Sequence, residues 1–252
     1  MGDINIYADS ADIYDIFEFK GKSFTDITVQ QLTDYFRQFN VKTVLDMSCG
    51  TGAQCIPIAQ QGFNVTATDL SLAMLAQAKK KAGNTPNLQF KQANMITVSE
   101  GEFDCIYSAY NAVAHLSKSQ LQETILNAAQ HLAPNGILIF DVFSAEAMPF
   151  LPRNKVLDTA LEMGDTRYVR YTNFNFDITK NAVDICQEYV IQRGFEDIKE
   201  LMHNYCLQAY HHDELAEMIK QADLKLITLS VEGMKDVFNE DGVCHFVVAQ
   251  KQ

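Results

Sequence analysis

The sequence of 252 residues predicts an α/β fold: a mostly parallel sheet with helices on both faces, interrupted by a small antiparallel β insertion. Two observations carry this prediction. Up to residue 147, short apolar segments typical of strands alternate with segments of helical periodicity. Between residues 148 and 208, strand-like segments follow one another with no helix between them, which is the pattern of an antiparallel sheet.

The first part of the chain contains an N-terminal helix and then repeated strand–helix pairs. Apolar residues at helical spacing predict the first helix over residues 27–39. Ser71 is a good N-cap for a later helix. Strands are predicted over residues 43–47, 64–68, 88–91, 103–108 and 137–143, and the other helices end at Gln61 or cover residues 72–82 and 118–132. Such alternation indicates parallel strands joined by crossover helices.

The second part of the chain follows a different rhythm. Three alternating segments predict strands over residues 167–176, 183–192 and 200–208. A helix over residues 213–221 and strands over residues 224–231 and 243–250 complete the chain. We therefore expect residues 1–147 and 209–252 to form one domain. Residues 148–208 form the β insertion, which serves as a lid or a dimerisation surface.

Composition restricts the partners. The formal net charge of −12 disfavours nucleic acid, because a protein that follows phosphates needs a basic stripe. No apolar run approaches the roughly 20 residues that a membrane-spanning helix requires. The first residues are acidic where a secretory signal is basic and then apolar. We expect a cytoplasmic protein that binds neither nucleic acid nor membrane.

The six cysteines predict neither disulfides nor a metal site. They are scattered along the chain without a C-x-x-C pair or histidines at zinc-ligand spacing. Reduced thiols in the core are the simplest interpretation. Whether Cys49 is also a core thiol stays an open question, because it lies in a glycine-containing loop.

The most informative segment follows the first predicted strand. Gly50 and Gly52 lie between that strand and a helix, where glycine permits a sharp turn and lets a ligand approach backbone N–H groups. A tight strand–helix connection alone would also explain them. Asp46, at the end of the strand, would repel a pyrophosphate but attract an ammonium or a sulfonium group.

A second acidic residue ends the next strand. Asp69 follows Asp46 by 23 positions, and in a doubly wound sheet such a carboxylate lies beside the first loop and can accept both ribose hydroxyls. A helix cap is the alternative role, but Ser71 is better placed for it. A dinucleotide site would need a third glycine where this chain has Cys55, which disfavours a nicotinamide or flavin cofactor.

These residues and four later segments occur in a recognisable order. The segment from Asp46 to Gly52 resembles the first motif of class I S-adenosylmethionine-dependent methyltransferases, with Ser48 in place of the commonest first glycine. Four segments of this chain resemble the later motifs of that family, in the same order: Asp69-Leu70-Ser71 with Met74-Leu75, Gln92-Ala93-Asn94-Met95, Phe103 to Leu116, and Leu132 to Leu138. Asn94 stands where the family often has aspartate. The resemblance implies a Rossmann-like, doubly wound, seven-stranded sheet whose last strand is antiparallel.

The resemblance also implies S-adenosyl-L-methionine as cofactor, and a set of residues that bind it. The N-terminal tyrosines are similar to residues that fold over the cofactor in small-molecule members, and Lys22 is a candidate partner for the methionyl carboxylate. The expected cofactor-binding residues are Tyr7, Tyr14, Lys22, Asp46, Ser48, Gly50, Thr51, Gly52, Asp69, Leu70, Met74, Asn94, Met95, Ser108, Ala109 and Tyr110.

Methyl transfer leaves a weak signature among catalytic residues. It is an in-line displacement with a neutral leaving group, so alignment and exclusion of water matter most, and a base is needed only for a protonated nucleophile. The candidates are His115, Tyr14 and Tyr110. His115 can be a base, a substrate ligand or a structural residue, and ordinary packing also explains the tyrosines.

The insertion resembles the antiparallel sheet of methyltransferases that act on amino sugars, glycine and similar small molecules. There it covers the active site or forms a dimer interface. Phe143, Tyr168, Arg170 and Tyr171 can therefore touch substrate, although their alternation also fits one packed face.

The sequence thus predicts a methyltransferase that acts on a small amine or hydroxyl acceptor, as a monomer or a homodimer. The alternatives are a methyltransferase acting on protein or RNA, and a nucleotide-binding oxidoreductase or binding module on the same fold.

Overall fold

The computed structural model describes residues 5–18, 22–97, 101–150, 154–195, 197–230 and 243–252. Only residue 231 of the strand predicted over 224–231 lies outside them. The helices are α1 (Asn5–Ser10), α2 (Tyr14–Glu18), α3 (Lys22–Gln38), α4 (Cys55–Gln60), α5 (Leu72–Ala82), α6 (Lys118–His131) and α7 (His212–Gln221). The strands are β1 (Thr43–Asp46), β2 (Asn64–Asp69), β3 (Leu88–Gln92), β4 (Phe103–Ser108), β5 (Leu132–Phe143), β6 (Val156–Met163), β7 (Thr166–Asp177), β8 (Ala182–Arg193), β9 (Asp197–Gln208), β10 (Leu224–Ser230) and β11 (Cys244–Lys251).

Seven strands form the main sheet in the order β10-β11-β5-β4-β1-β2-β3. The strands from β1 to β5 run parallel, and β11 is antiparallel to both of its neighbours. The predicted fold, with its antiparallel last strand, is confirmed. From β1 the chain continues to β2 and β3 on one side of the sheet, and from β4 it continues to β5 on the other side. In open α/β sheets, ligands bind at the carboxyl ends of the strands where the strand order reverses in this way.

Each face of the main sheet carries its own apolar core. On one face Leu32, Ile58 and Leu75, from α3, α4 and α5, pack against the strands. On the other face Leu121 and Ile219 come from α6 and α7. The prediction of helices on both faces is therefore confirmed. None of the helices in the described ranges is long and apolar enough to span a membrane.

The insertion forms a second, antiparallel sheet in the order β6-β7-β8-β9. The sequence predicted only three of its strands, and the prediction missed β6. Apolar and polar residues do not alternate regularly in β6, and its pairing with β7 shifts between Leu157 and Thr159. A bulge of this kind removes the two-residue period by which a strand is recognised.

The ends of the insertion lie side by side at the edge of the main sheet. Ser144 and Tyr210 form an isolated parallel bridge, and the Tyr210 N–H donates to the Phe143 carbonyl at 2.9 Å. The division of the chain into domains at residues 148 and 208 stays a prediction.

Several predicted boundaries were wrong by a few residues. The first long helix begins at Lys22 rather than residue 27, and β9 begins at Asp197 rather than residue 200. The strand β5 begins at Leu132, in the segment where a helix was expected to end. Phe103 pairs with Leu132 and Cys105 with Ile137, so the Pro- and Gly-containing residues between them form a bulge inside β5.

Candidate active site

The loop after β1 is held by the carboxylate at the end of β2. Asp69 accepts hydrogen bonds from the Gly50 N–H through Oδ2 and from the Ser71 N–H through Oδ1, both at 2.8 Å. Burial raises the pKa of Asp69, against three backbone N–H groups, those of Ser71, Gly50 and Leu70, that lower it. One side chain thus ties the loop to the start of α5, where the Ser71 hydroxyl caps the helix as predicted.

Glycine occupies the two positions in the loop for different structural reasons. Gly50 has a φ of +52° and open space around its Cα, which leaves its backbone accessible. Gly52 has a φ of +86°, and a Cβ there would lie 2.8 Å from Ile56 Cδ1 and 3.2 Å from Ala78 Cβ. Only glycine lets α4 and α5 approach the loop this closely.

Asp46 lies beneath the loop and not on the pocket wall. Its side chain is 1% exposed, accepts from the Ser48 N–H at 3.0 Å and accepts from the Tyr107 hydroxyl at 2.6 Å. Burial raises its pKa to about 7, although both hydrogen bonds work in the opposite direction. Asp46 therefore fixes the loop by direct hydrogen bonding. It does not contact a ligand in the pocket, and can act on one only by electrostatic interaction at a distance.

A pocket opens over this loop at the carboxyl ends of β1 to β4. The predicted residues on its wall are Tyr7, Tyr14, Ser48, Gly50, Thr51, Asp69, Leu70, Met74, Asn94, Met95, Ala109, Tyr110 and His115. Asp46, Gly52 and Ser108 are not on the wall. The Ser108 hydroxyl supports the loop through the Ser48 hydroxyl at 2.7 Å. The side chain of Lys22 lies outside the described residues.

The wall includes further residues that were not among the expected cofactor-binding or catalytic residues. They are Met47, Cys49, Ala53, Gln54, Ser71, Ala93, Ile96, Ala112, Leu116 and Gln120. Most of them lie within the motif segments or one to two residues after them, so their place in those segments could have indicated them, whereas Gln120, on α6, had no such signal. Cys49 is buried, and a contact with Cys55 together with burial raises the pKa of its thiol, which disfavours a reactive thiolate.

Two sides of the pocket differ in chemistry. At one side Leu70, Met74 and Met95 provide apolar surface near the Asp69 carboxylate. Asn94 belongs to a turn there, in which its Oδ1 accepts from the Ile96 N–H at 3.0 Å. A flat apolar wall with an amide beside it suits a purine base, and the neighbouring carboxylate suits vicinal hydroxyls.

The other side is a cluster of aromatic rings. The Tyr7 hydroxyl lies 2.6 Å from His115 Nε2, and the Tyr7 ring meets the edges of both His115 and Tyr14. Tyr205, from β9, packs on His115 with ring centroids 5.7 Å apart. Burial lowers the pKa of His115 to about 4, so its imidazole is neutral at neutral pH. Burial also raises the pKa values of Tyr7 and Tyr14, so both hydroxyls stay protonated.

The backbone is strained where β4 leads into this cluster. Tyr110 and Asn111 have φ values of +61° and +56°, although neither is glycine. The Asn111 N–H donates to Asp141 Oδ2 at 3.1 Å, which helps to hold the turn. Left-handed non-glycine residues cost about 1–3 kcal/mol and concentrate at functional sites. No sequence signal indicated the supporting role of Asp141.

Phe143 at the end of β5 and the residues of the insertion that were expected to touch substrate do not lie on the pocket wall. Phe143 and Arg170 are buried, and the Tyr168 ring packs near Phe17. The Tyr171 ring lies under the Lys155 ammonium, 4.9 Å from its centroid. The insertion contacts the site instead through Tyr205, whose ring packs on His115.

Residues 44–136 match the family model of a methyltransferase domain. The chain is 38% identical over 105 residues to the candidate methyltransferase YqeM of Bacillus subtilis, a match that covers 40% of this chain and 42% of that protein. It is 26% identical over 229 residues to a candidate methyltransferase of Geobacillus sp. strain WCH70, covering 88% of this chain and 89% of the relative.

Solved structures share the whole architecture. An S-adenosylmethionine-dependent methyltransferase from Clostridium acetobutylicum has a TM-score of 0.76 at 19% identity, and the match covers 98% of this chain and 99% of that one. The S-adenosylmethionine-bound CalS10 of Micromonospora echinaspora, an amino pentose methyltransferase, also has a TM-score of 0.76 at 19% identity, over 92% and 93% of the two chains. At this identity the likeness establishes the fold.

Proposed function

We propose that this chain is an S-adenosylmethionine-dependent methyltransferase that transfers the methyl group of its cofactor to a small amine or hydroxyl acceptor. The match of residues 44–136 to a methyltransferase domain and the fold shared with a solved methyltransferase support this proposal. The observation that carries the proposal is the composition of one continuous pocket. Asp69 and the aromatic cluster of Tyr7, Tyr14 and His115 line this same pocket.

The residues of the pocket fit the cofactor. The apolar wall of Leu70, Met74 and Met95 accommodates adenine, and Asp69 accepts from the ribose hydroxyls. Gln54 is buried on the wall, where its side-chain amide interacts with the Tyr110 side chain, and the two N–H bonds of the amide allow it to donate to the methionyl carboxylate as well. When bound, the cofactor supplies a sulfonium methyl group whose departure leaves a neutral thioether.

The aromatic cluster orients the acceptor and excludes water from it. With a pKa of about 4, His115 is a weak base at neutral pH. The hydrogen bond between its Nε2 and the Tyr7 hydroxyl fixes the plane of the imidazole. His115, Tyr7 and Tyr14 therefore act by holding the nucleophile in line with the methyl group, and Tyr110 fixes the floor beside them. An amine acceptor enters this site already deprotonated.

The acceptor is small and carries no strong negative charge. Among the described residues on the pocket wall there is no lysine or arginine to bind a phosphate or carboxylate. Tyr7 of α1 and Tyr14 of α2 cover part of the pocket, which favours a small acceptor over a polymer. That a protein of the same fold acts on an amino pentose supports this size class.

Three further assignments belong to the proposal. Residues 148–208 act as a unit that covers the acceptor side, and a pair of subunits can form on its outer face, where Leu157, Ile198 and Met202 are exposed. The protein works in the cytoplasm, which the unpaired, buried thiols of Cys55 and Cys105 support.

A binding experiment tests the cofactor assignment. S-adenosylmethionine, or its demethylated product S-adenosylhomocysteine, should stabilise the protein by about 2.7 kcal/mol at a hundredfold excess over the dissociation constant. Asp69→Ala should abolish most of this response. Asp104→Ala is the matched control, because Asp104 also accepts two backbone N–H bonds of 2.9 Å, but at the amino end of the strands.

A panel of acceptors then tests the substrate class. Formation of S-adenosylhomocysteine should be detected with small amines or hydroxyl compounds. Stabilisation by NAD and not by S-adenosylmethionine would overturn the cofactor assignment. Turnover on RNA or intact protein, with none on small acceptors, would overturn the acceptor assignment and leave the cofactor standing.

A further inference from the structure

The short helix α2 carries Tyr14 onto the pocket and is fixed at its first turn to the main sheet. Asp15 accepts from the Thr51 hydroxyl in the glycine loop and from the Lys81 ammonium at the end of α5. The second pair is 35–40% exposed, so it contributes little by itself. These contacts define where the helix starts but leave its other end to be held elsewhere.

The other end of α2 is held by an arginine of the insertion. Arg170, on β7, is 1% exposed. Its Nε lies 2.9 Å from both carboxylate oxygens of Asp158 on β6, and its Nη1 donates to Glu18 Oε1 at the end of α2. The guanidinium carbon lies 5.7 Å from the ring centroid of Phe17 and 5.7 Å from that of Tyr189, beside the pair of rings.

This arrangement uses Arg170 for two separate contacts. Asp158, 4% exposed, already supplies one buried counter-charge within the inserted sheet. Glu18 supplies a second from a different part of the chain, and is 29% exposed. The planar guanidinium fork allows both contacts at once, which an ammonium could not do with fixed geometry. The contact with Glu18 is therefore not required to neutralise Arg170.

A helix of five residues cannot hold its position alone. Isolated helices shorter than about 12–15 residues are marginal in water, so α2 depends on its tertiary contacts. Phe17 packs edge-on against Tyr189 with centroids 4.8 Å apart, which buries one face of the helix. The Glu18–Arg170 pair sets the direction in which that face points, and so where Tyr14 lies.

We propose that Arg170 is a positioning residue for the methyl-transfer site: through Glu18 it latches α2 onto the inserted sheet, so that Tyr14 closes the pocket over the acceptor and the cofactor together. The identity of the occupant rests on the proposed function, but the latch does not. The insertion thereby controls how long the cofactor stays bound, although Arg170 does not touch the pocket.

The test removes the charge of Glu18 and leaves the Arg170–Asp158 pair intact. Glu18→Gln should accelerate amide hydrogen exchange of residues 5–18 in the ligand-free protein by about tenfold, the loss expected when a charge-assisted hydrogen bond becomes a neutral one. The same variant should release S-adenosylhomocysteine about tenfold faster. Glu162→Gln is the matched control, since Glu162 pairs with Arg167 on the same two strands but is exposed.

A second variant guards against misfolding. Arg170→Lys keeps the charge beside Asp158 but loses the fork, and it should reproduce the faster exchange of residues 5–18. Exchange in β7 and β8 should stay at the wild-type rate in Glu18→Gln. If residues 5–18 exchange no faster in Glu18→Gln than in Glu162→Gln, the latch is refuted. If the wild type fails to bind S-adenosylhomocysteine, the proposed function fails, while the exchange of the ligand-free protein still decides the latch.

Discussion

The two sides of the pocket are built in different ways. On the side of the main sheet, backbone groups and short side chains fix the loop, as in the bond from Gly50 to Asp69 and the contact between Ser48 and Ser108. On the side of the insertion, long charged side chains and aromatic rings hold α2, chiefly through Arg170.

This difference separates a preformed half of the site from a half that has to assemble. Gly50 and Asp69 are 19 residues apart, and both are fixed by strand ends. Arg170 and Glu18 are 152 residues apart, and each loses side-chain entropy when the pair forms. The cofactor side therefore exists before the ligand arrives. We expect the acceptor side to form as α1 and α2 settle onto the inserted sheet, a step that would let ligands enter and leave.

His115 joins the two halves, and its removal should have the largest effect. It contacts Tyr7 from α1 and Tyr205 from β9. His115→Ala should lower kcat about a hundredfold, because a small misplacement of the reacting groups costs that much, and should change the affinity for S-adenosylhomocysteine less than threefold. Steady-state kinetics and calorimetric titration measure the two quantities.

The control for this variant is His131→Ala. His131 lies at the end of α6, where its ring contacts the Asn127 carbonyl, and it is not on the pocket wall. It should leave kcat unchanged. An equal loss of cofactor affinity and turnover in His115→Ala would mean that the two halves are not separate.

A change in the preformed half should instead act on stability. Gly52→Ala should lower the free energy of unfolding by about 2 kcal/mol, because its φ of +86° is strained for alanine and the added Cβ meets Ile56 and Ala78. Gly62→Ala is the control, with a φ of +99° and nothing within 4 Å of the added Cβ. Urea unfolding should give a smaller loss for Gly62→Ala. Equal losses would show that backbone strain alone matters at Gly52.

The same contrast explains what could be predicted from the sequence. The spacing of Asp46, Gly50 and Asp69 is local and follows from strands that end at one edge, so the positions of the loop and of Asp69 were predicted correctly. The direction of the Asp46 side chain was not, because it depends on Tyr107 of a neighbouring strand.

On the side of the insertion, the sequence contains no such local pattern. Arg170 was expected to touch substrate, but it is buried between Glu18 and Asp158 and away from the pocket wall. No periodicity relates residues 152 positions apart, so the pair could not be predicted. Strand β6 was missed for a related reason, because its bulge is defined only by its pairing with β7.

The smallest expected effect concerns the charge beneath the loop. Burial raises the pKa of Asp46 to about 7, so between roughly pH 4 and pH 7 the folded state binds more protons here than the unfolded chain does. Stability contributed at this position therefore falls as the pH rises through that window. Asp46→Asn should raise the free energy of unfolding by about 1 kcal/mol at pH 8, where the amide avoids the buried charge and still accepts from Ser48. The gain should disappear at pH 5.

Asp104→Asn provides a control of opposite sign. Although burial works to raise the pKa of Asp104, hydrogen bonds from Thr43 and Lys42 lower it below its usual value. Its charge stabilises the folded state above the unfolded pKa, so Asp104→Asn should lose stability at pH 8. If the charge of Asp46 contributes to cofactor binding, Asp46→Asn should also lower the affinity for S-adenosylmethionine more than the affinity for S-adenosylhomocysteine. The reason is that S-adenosylmethionine carries a positive sulfonium group, which S-adenosylhomocysteine lacks. Equal weakening of the two would mean that Asp46 acts on the loop alone, and that the preformed half recognises shape without charge.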